Sequence, residues 1–267
     1  MMSMYADLLE KVKKLIVQAA ESAKLNQDHA HSVMQKGRQD FVTDVDLAVS
    51  EFLCRELPRL LPGSVVISEE GFKGKPEDGY YWVIDPIDGT NNFIYQLPNF
   101  AISIGLLQDR EPVLGAVYAP RLGELYAAAK GEGATCNDRP IHVCPDETVA
   151  QTLALAETNP YSDRAANRFP VLISNVYLDC IDCRFAGTAA LDCCYVACGR
   201  GGLFVAENVK PWDYAAGEII TTEAGGKVSQ WNGQPMTYFG NTTILMTNGK
   251  LHEEMLRRIR DTVGIDA

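Results

Sequence analysis

The chain is poor in positive charge and in histidine, and it has no apolar run that approaches the length of a membrane span. Its formal net charge is -11, and four of its 267 residues are histidines. Backbone recognition of nucleic acid needs clustered Lys and Arg. The basic stretches here, Lys11 to Lys14 and Arg257 to Arg260, lie in amphipathic segments without a surrounding cationic field. Nucleic acid is therefore not an expected partner. A membrane helix needs about 20 consecutive apolar residues. The N-terminal stretch MMSMYADLLEKVKKLIVQAAESAK interrupts its apolar residues with charge and lacks the pattern of a secretory signal. A soluble, cytoplasmic protein with no membrane contact is the expectation. Repeats are lacking too, and the 22 glycines and 13 prolines are scattered rather than gathered into a linker.

A chain with 46% hydrophobic residues can bury one substantial core or two smaller ones. It has no need of a disulfide framework, and its eight cysteines read as reduced, structural thiols. Cys180-x-x-Cys183 followed by Cys193-Cys194 has some look of a zinc site, but no second metal-binding knuckle accompanies it.

Apolar residues at Leu8, Val12, Leu15, Ile16, Ala19 and Ala23 have the spacing of one helix face, and a second helix is expected from about Asp46 to Leu60. Short β-branched runs at 64–68 and 80–84 read as strands, and 100–108, 112–119 and 123–129 read as an antiparallel meander. This gives an N-terminal α+β subdomain over 1–140. The remainder, 141–267, reads as a C-terminal α/β subdomain with strands near 149–157, 173–178, 202–206, 227–230 and 243–247. Helices are expected at 188–198, 212–223 and from Leu251.

The sharpest signal is Trp82-Val-Ile-Asp85-Pro86-Ile87-Asp88-Gly89-Thr90. A buried strand runs into Asp85, Pro86 limits the backbone, and a second carboxylate follows three residues later. Such a turn can aim two hard oxygen ligands, and the Ile87 carbonyl with them, into one site. Gly89 permits close approach, and the Gly89 and Thr90 amides can face a phosphate. Glu69-Glu70 stands at a strand end, where extended geometry sends successive side chains to opposite faces, so one of the two points inward. Glu69 is taken as the ligand and Glu70 as its support, although periodicity alone does not choose between them. Asp213, two residues after Pro211, is placed to cap a helix or to bind a cation. Asp46 has the same two readings, a helix cap or the acceptor for the Thr90 hydroxyl in a relay that positions a metal-activated water.

Taken together, Val42-Thr43-x-x-Asp46, Glu69-Glu70, Asp85-Pro-Ile-Asp88-Gly-Thr90, Gly187-Thr188-Ala189-Ala190, Trp212-Asp213-x-Ala215-Ala216-Gly217 and Glu223-Ala-Gly225-Gly226 span nearly the whole chain. In this order they resemble the inositol monophosphatase family of lithium-sensitive, magnesium-dependent phosphatases. The resemblance implies a mixed α/β and α+β fold, an alternating layered αβαβα sandwich, usually as a homodimer. It implies Mg2+ held by Glu69, Asp85, the Ile87 carbonyl, Asp88 and Asp213, with Asp46 and Thr90 activating water. The Gly89 and Thr90 amides would bind phosphate, Asp88 and the Ala189 amide would meet the alcohol, and Gly187 and Thr188 count among the substrate-binding residues. The implied reaction is hydrolysis of a small phosphate monoester, inositol 1-monophosphate above all, by in-line attack of water without a phosphoenzyme.

One departure lies at the substrate end. Family members that favour inositol phosphates commonly carry a glutamate seven residues before the aspartate equivalent to Asp213, where this chain has Ala206 with Glu207 beside it. Lys210 offers a site for a second anionic group. These residues keep fructose 1,6-bisphosphate and other small sugar, nucleotide or histidinol phosphates open as substrates. A catalytically silent metal-binding scaffold is the reading from a different class. A dinucleotide site at Gly199-Arg-Gly201-Gly202 lacks the required spacing.

Overall fold

The computed structural model describes residues 4–26, 32–37, 40–71, 78–158, 165–238 and 240–264. Helix α1 (Met4–Asn26) is followed by a hairpin of β1 (Val33–Gly37) and β2 (Asp40–Thr43), which leads directly into α2 (Asp44–Leu60). Thr43 caps α2: its hydroxyl accepts from the Asp46 amide at 3.3 Å, and Asp46 Oδ2 accepts from the Thr43 amide at 2.9 Å. This reciprocal box fixes the helix start. Next come β3 (Val65–Ser68), β4 (Tyr80–Asp88), the short α3 (Thr90–Ile94), β5 (Ala101–Gln108), β6 (Glu111–Ala119), β7 (Glu124–Ala129), β8 (Ala134–Cys136) and β9 (Arg139–Pro140). Strands β3 to β9 form a seven-stranded sheet in sequence order, antiparallel except for the parallel β3–β4 pair.

The second half runs β10 (Leu153–Thr158), α4 (Ala165–Asp179), β11 (Asp182–Arg184), α5 (Ala189–Ala197), β12 (Leu203–Val209), α6 (Pro211–Glu223), β13 (Lys227–Ser229), β14 (Thr242–Thr247) and α7 (His252–Val263). Its sheet has five strands in the order β11-β10-β12-β14-β13, parallel across the first three and antiparallel across the last three.

Four apolar clusters bind the layers. Leu8, Val12 and Ile16 of α1 and Val49 and Leu53 of α2 pack on Trp82, Ile84 and Ile104 of the larger sheet. The opposite face of that sheet meets Leu191, Ala216 and Ile220 of α5 and α6. The far side of those two helices packs on Leu155, Phe204, Ile244 and Met246 of the smaller sheet. Leu172, Val176, Met255 and Ile259 of α4 and α7 close the outer face. The result is the expected alternating αβαβα sandwich. Glycine lets the central helix approach: a Cβ at Gly115 would lie 2.5 Å from the Ala216 carbonyl oxygen, and one at Gly105 would lie 3.0 Å from Ala215 Cβ.

Two expectations need correction. Residues 173–178 are the C-terminal half of α4, not a strand. Phe169, Leu172 and Val176 are buried along one helical face while Val171, Tyr177 and Leu178 are exposed, which is a helical and not an alternating pattern. Pro170 within the helix and the β-branched Val171, Ile173 and Val176 disguised it. The strand read from 149 begins at Leu153, after a single 3-10 turn at Val149–Gln151. The eight cysteines are all free thiols, with Cys193 and Cys194 buried between helix and sheet.

Candidate active site

The site grows from the register of two parallel strands. Ser68 pairs with Ile84 in the β3–β4 ladder, and the Glu69 amide donates to the Ile84 carbonyl at 3.2 Å. Glu69 and Asp85 therefore emerge side by side. On the other flank of β4, Asp85 pairs with Ser103 and Asp88 with Ala101, so β4 carries one residue more than β5 over this span. A regular strand would send residues i and i+3 to opposite faces; the extra residue restores Asp85 and Asp88 to one side. The Ile87 amide donates to Asp85 Oδ1 at 3.1 Å, locking the bulge.

Asp213 enters from the central helix layer. Pro211 begins α6, and Asp213 Oδ2 accepts from the Lys210 amide at 2.8 Å. Ser103 Oγ donates to the Trp212 carbonyl at 3.3 Å, tying this helix start to β5 beside Asp85. Asp213 thus caps its helix through one oxygen and still faces the acidic centre.

Burial pushes the Asp85 carboxyl well above the usual range, and repulsion by Glu69, Asp88 and Asp213 adds to it. Asp213 moves the same way through burial and the charge of Asp88, with the Lys210 amide opposing. Asp88 is pushed up to about 6 by burial, against the hydrogen bonds it receives from Thr188 Oγ1 and the Ala190 amide, the latter at 2.8 Å. Those bonds dock the start of α5, carrying Thr188 and Ala189, onto Asp88.

The Thr90 hydroxyl donates to Asp46 Oδ1 at 3.2 Å and lies 3.1 Å from the Ile87 carbonyl oxygen. Asp46 is 1% exposed, and burial raises its carboxyl to about 6 against the hydrogen bonds from Thr43. Gly89 between Asp88 and Thr90 has φ 88°, and a Cβ there would lie 3.0 Å from the carbonyl oxygens of Asn99 and Gly187. Only glycine fits both the left-handed backbone and that approach.

Sequence reasoning missed two residues here. Lys36 on β1 reaches Glu69 Oε1 at 3.2 Å and pairs with Glu70 as well. Its signal was absent because the β1–β2 hairpin was itself not expected. Asn92 Nδ2 donates to the carbonyls of Asn99 at 2.6 Å, Ala186 at 2.8 Å and Gly187 at 3.3 Å. It joins the α3 turn to the loop that presents Thr188.

The structure separates the three specificity candidates. Lys210 lies 5.3 Å from the Trp212 ring centroid, and its charge acts on Glu69 and Asp213. Ala206 is fully buried on the inner face of β12, with Phe204. Glu207 turns to the other face and pairs with Arg168 of α4.

The donor set of four carboxylates and a main-chain carbonyl is that of a hard divalent cation. Among the described residues no group of three or more His, Cys, Asp or Glu side chains is gathered closely enough to hold a metal ion. The charges of Glu69, Asp88 and Asp213 raise the Asp85 carboxyl, and that repulsion is what a bound cation would offset. The residues fit Mg2+ on donor chemistry.

The fold and this carboxylate centre define a member of the inositol monophosphatase family, whose model matches residues 3–263. The chain belongs to that family. Nus factor SuhB from Pasteurella multocida is 36% identical over 230 residues, covering 84% of each chain. The fructose-1,6-bisphosphatase/inositol-1-monophosphatase of Thermotoga maritima is 34% identical over 227 residues, covering 85% of each. The solved Thermotoga maritima IMPase superimposes with a TM-score of 0.87 at 31% identity, covering 97% of this chain and 98% of the other. Among the described residues no helix is long and apolar enough to cross a membrane.

Proposed function

We propose that the protein is a magnesium-dependent phosphomonoesterase that hydrolyses small phosphate esters, inositol 1-monophosphate first among them. The observation that carries this reading is the Thr90–Asp46 hydrogen bond at the edge of the Glu69, Asp85, Asp88 and Asp213 carboxylates. Those four, with the Ile87 carbonyl, would hold Mg2+, which when bound lowers the pKa of water and offsets charge on phosphate oxygens. Thr90 and Asp46 orient the attacking water and receive its proton. The water oxygen bonds to phosphorus as the opposite bond to the alcohol oxygen breaks, and the alcohol leaves with a proton from solvent. Gly89 and Thr90 amides hold the phosphate, and Asp88 with Gly187, Thr188 and Ala189 borders the alcohol. Lys36 sets the position of Glu69.

A sugar bisphosphate is the second reading. Lys210 favours it, since its ammonium acts on the centre and offers a partner for a second phosphate, and the Thermotoga relative is named for both activities. A homodimer, in the cytoplasm, completes the proposal; Tyr177, Leu178, Ile181 and Phe185 supply exposed apolar area near the outer edge of the smaller sheet. Phosphate release from inositol 1-monophosphate and fructose 1,6-bisphosphate, with and without magnesium, tests the reading. Release that is unchanged after chelation, or no release from any ester, overturns it.

A further inference from the structure

Beside the inner face of β12 stands a carboxylate with no part in the site described above. Glu157, next to last in β10, is the ladder partner of Ala206. Paired residues on adjacent strands project to the same face, and Leu155, two residues earlier, packs in the same inner cluster as Ala206. Glu157 therefore lies next to the small Ala206 side chain. Burial pushes its carboxyl well above the usual range, and the charges of Asp88, of Asp192 in the first turn of α5 and of Asp213 add to it. Glu207, by contrast, is committed to Arg168 on the opposite face.

Two observations point to a ligand here. Glu157 Oε2 is buried without a hydrogen-bond partner, and so are both carboxylate oxygens of Asp192, whose residue is 0% exposed. Burying a carboxylate without a partner is costly, and a cation that hydrogen-bonds to it removes most of that cost. The position suits substrate, because ligands of open sheets bind beyond the carboxyl ends of parallel strands, and β11, β10 and β12 run parallel with Glu157 at that end.

Resting on the phosphatase reading above, we infer that Glu157 replaces the acceptor missing at Ala206 and, with Asp192 behind it, selects phosphate esters whose alcohol carries a protonated amine. The acceptor has moved one strand sideways, so it meets a different part of the alcohol from a glutamate on β12.

A matched set of esters tests this. Glycerol 1-phosphate and 2-amino-1,3-propanediol phosphate differ only in a hydroxyl or ammonium at one carbon, and p-nitrophenyl phosphate has a leaving group with no donor. With magnesium saturating, the wild-type protein should favour the amine ester in kcat/KM. Glu157→Gln should lower that value about tenfold to a hundredfold for the amine ester, the scale of one charge-assisted hydrogen bond, and change p-nitrophenyl phosphate by less than about twofold. Glu157→Asp, which keeps the charge but withdraws it, should lose part of the same preference and serves where the glutamine variant fails to fold. No wild-type preference for the amine, or an equal loss across all three esters, overturns the assignment. Absence of phosphate release from every ester with the wild-type protein instead overturns the phosphatase reading, and the assignment with it.

Discussion

Thr90 Oγ1 donates to Asp46 Oδ1 at 3.2 Å across 44 residues of sequence. The second Asp46 oxygen is already engaged by the amide of Thr43, so the carboxylate cannot rotate freely. A helix cap thus fixes the acceptor of the proposed relay. The cap and the hydrogen bond from Thr90 expected for Asp46 are both present, one at each oxygen; the water relay is the use proposed for the hydrogen bond from Thr90.

Removal of the Thr90 hydroxyl should therefore act on turnover and leave the fold in place. Thr90→Ala is expected to reduce kcat about a hundredfold to a thousandfold, the usual effect of losing one well-placed catalytic interaction. Asp46→Ala in the same background should add much less than its own effect, since the two act as a unit. Steady-state kinetics at saturating magnesium check this, and near-normal turnover for Thr90→Ala removes it from the relay.

Asp213→Asn keeps a side-chain oxygen able to accept from the Lys210 amide and so keeps the α6 cap. What it loses is one negative charge facing Asp85 and Asp88. The expected outcome is a weaker apparent magnesium affinity at little cost in stability. Magnesium titrations of activity and of the thermal midpoint measure it; an unchanged magnesium dependence contradicts the ligand role.

Acid should stabilise the metal-free protein over a defined range. Burial raises Asp46 and Asp88 to about 6 and Glu218 to about 7. Folded-state values above the unfolded ones mean that these groups favour folding when protonated and lose that contribution as pH rises through about 6 to 7. His252 opposes, because burial lowers it to about 4; it favours folding while neutral and loses that contribution as pH falls from 6.5 toward 4. From pH 8 down to 6.5 the carboxyls act almost alone. Thermal midpoints in chelator should rise on acidification across that interval, and saturating magnesium should reduce the rise. A midpoint that falls over the same interval contradicts this.

Asn92→Ala deletes one amide donor shared by three carbonyls. Two of these contacts are half-buried and the third is exposed, so their loss should destabilise the protein by about 0.5–1.5 kcal/mol. The loop carrying Thr188 should also loosen, raising KM for an ester more than it lowers kcat. Denaturant midpoints and steady-state kinetics together check this; a stable variant with unaltered KM contradicts the joining role.

The layered fold was legible because long helices and β-branched strands repeat with clear periods, as in Val12, Ile16 and Ala19 or in Ala101 to Gln108. Asp85 and Asp88 were legible because they stand in one contiguous run, Asp85 to Thr90, and Glu69 and Asp213 because the order of the motifs resembles the family's. Lys36 was not, since its hairpin shows no alternation and its significance arises only when β1 folds over Glu69. Glu157 was hidden for a different reason. Its relation to Ala206 is a matter of strand register, and nothing in the neighbouring sequence marks a pairing across 49 residues. Helix α4 was misread because Pro170 and its β-branched neighbours imitate a strand within a short window.

The central claim is that the acidic centre holds magnesium in order to hydrolyse a phosphate ester. Its most direct measurement is phosphate release from inositol 1-monophosphate by the purified protein, titrated with magnesium after exhaustive chelation and repeated with Asp85→Asn. Asp85 is the choice because it is 2% exposed and lies where Glu69, Asp88 and Asp213 all act on it. The account predicts no release in chelator, a saturable rise with magnesium, and a loss of at least about a hundredfold in the variant. Release that ignores magnesium, or survives Asp85→Asn at the wild-type rate, would contradict it.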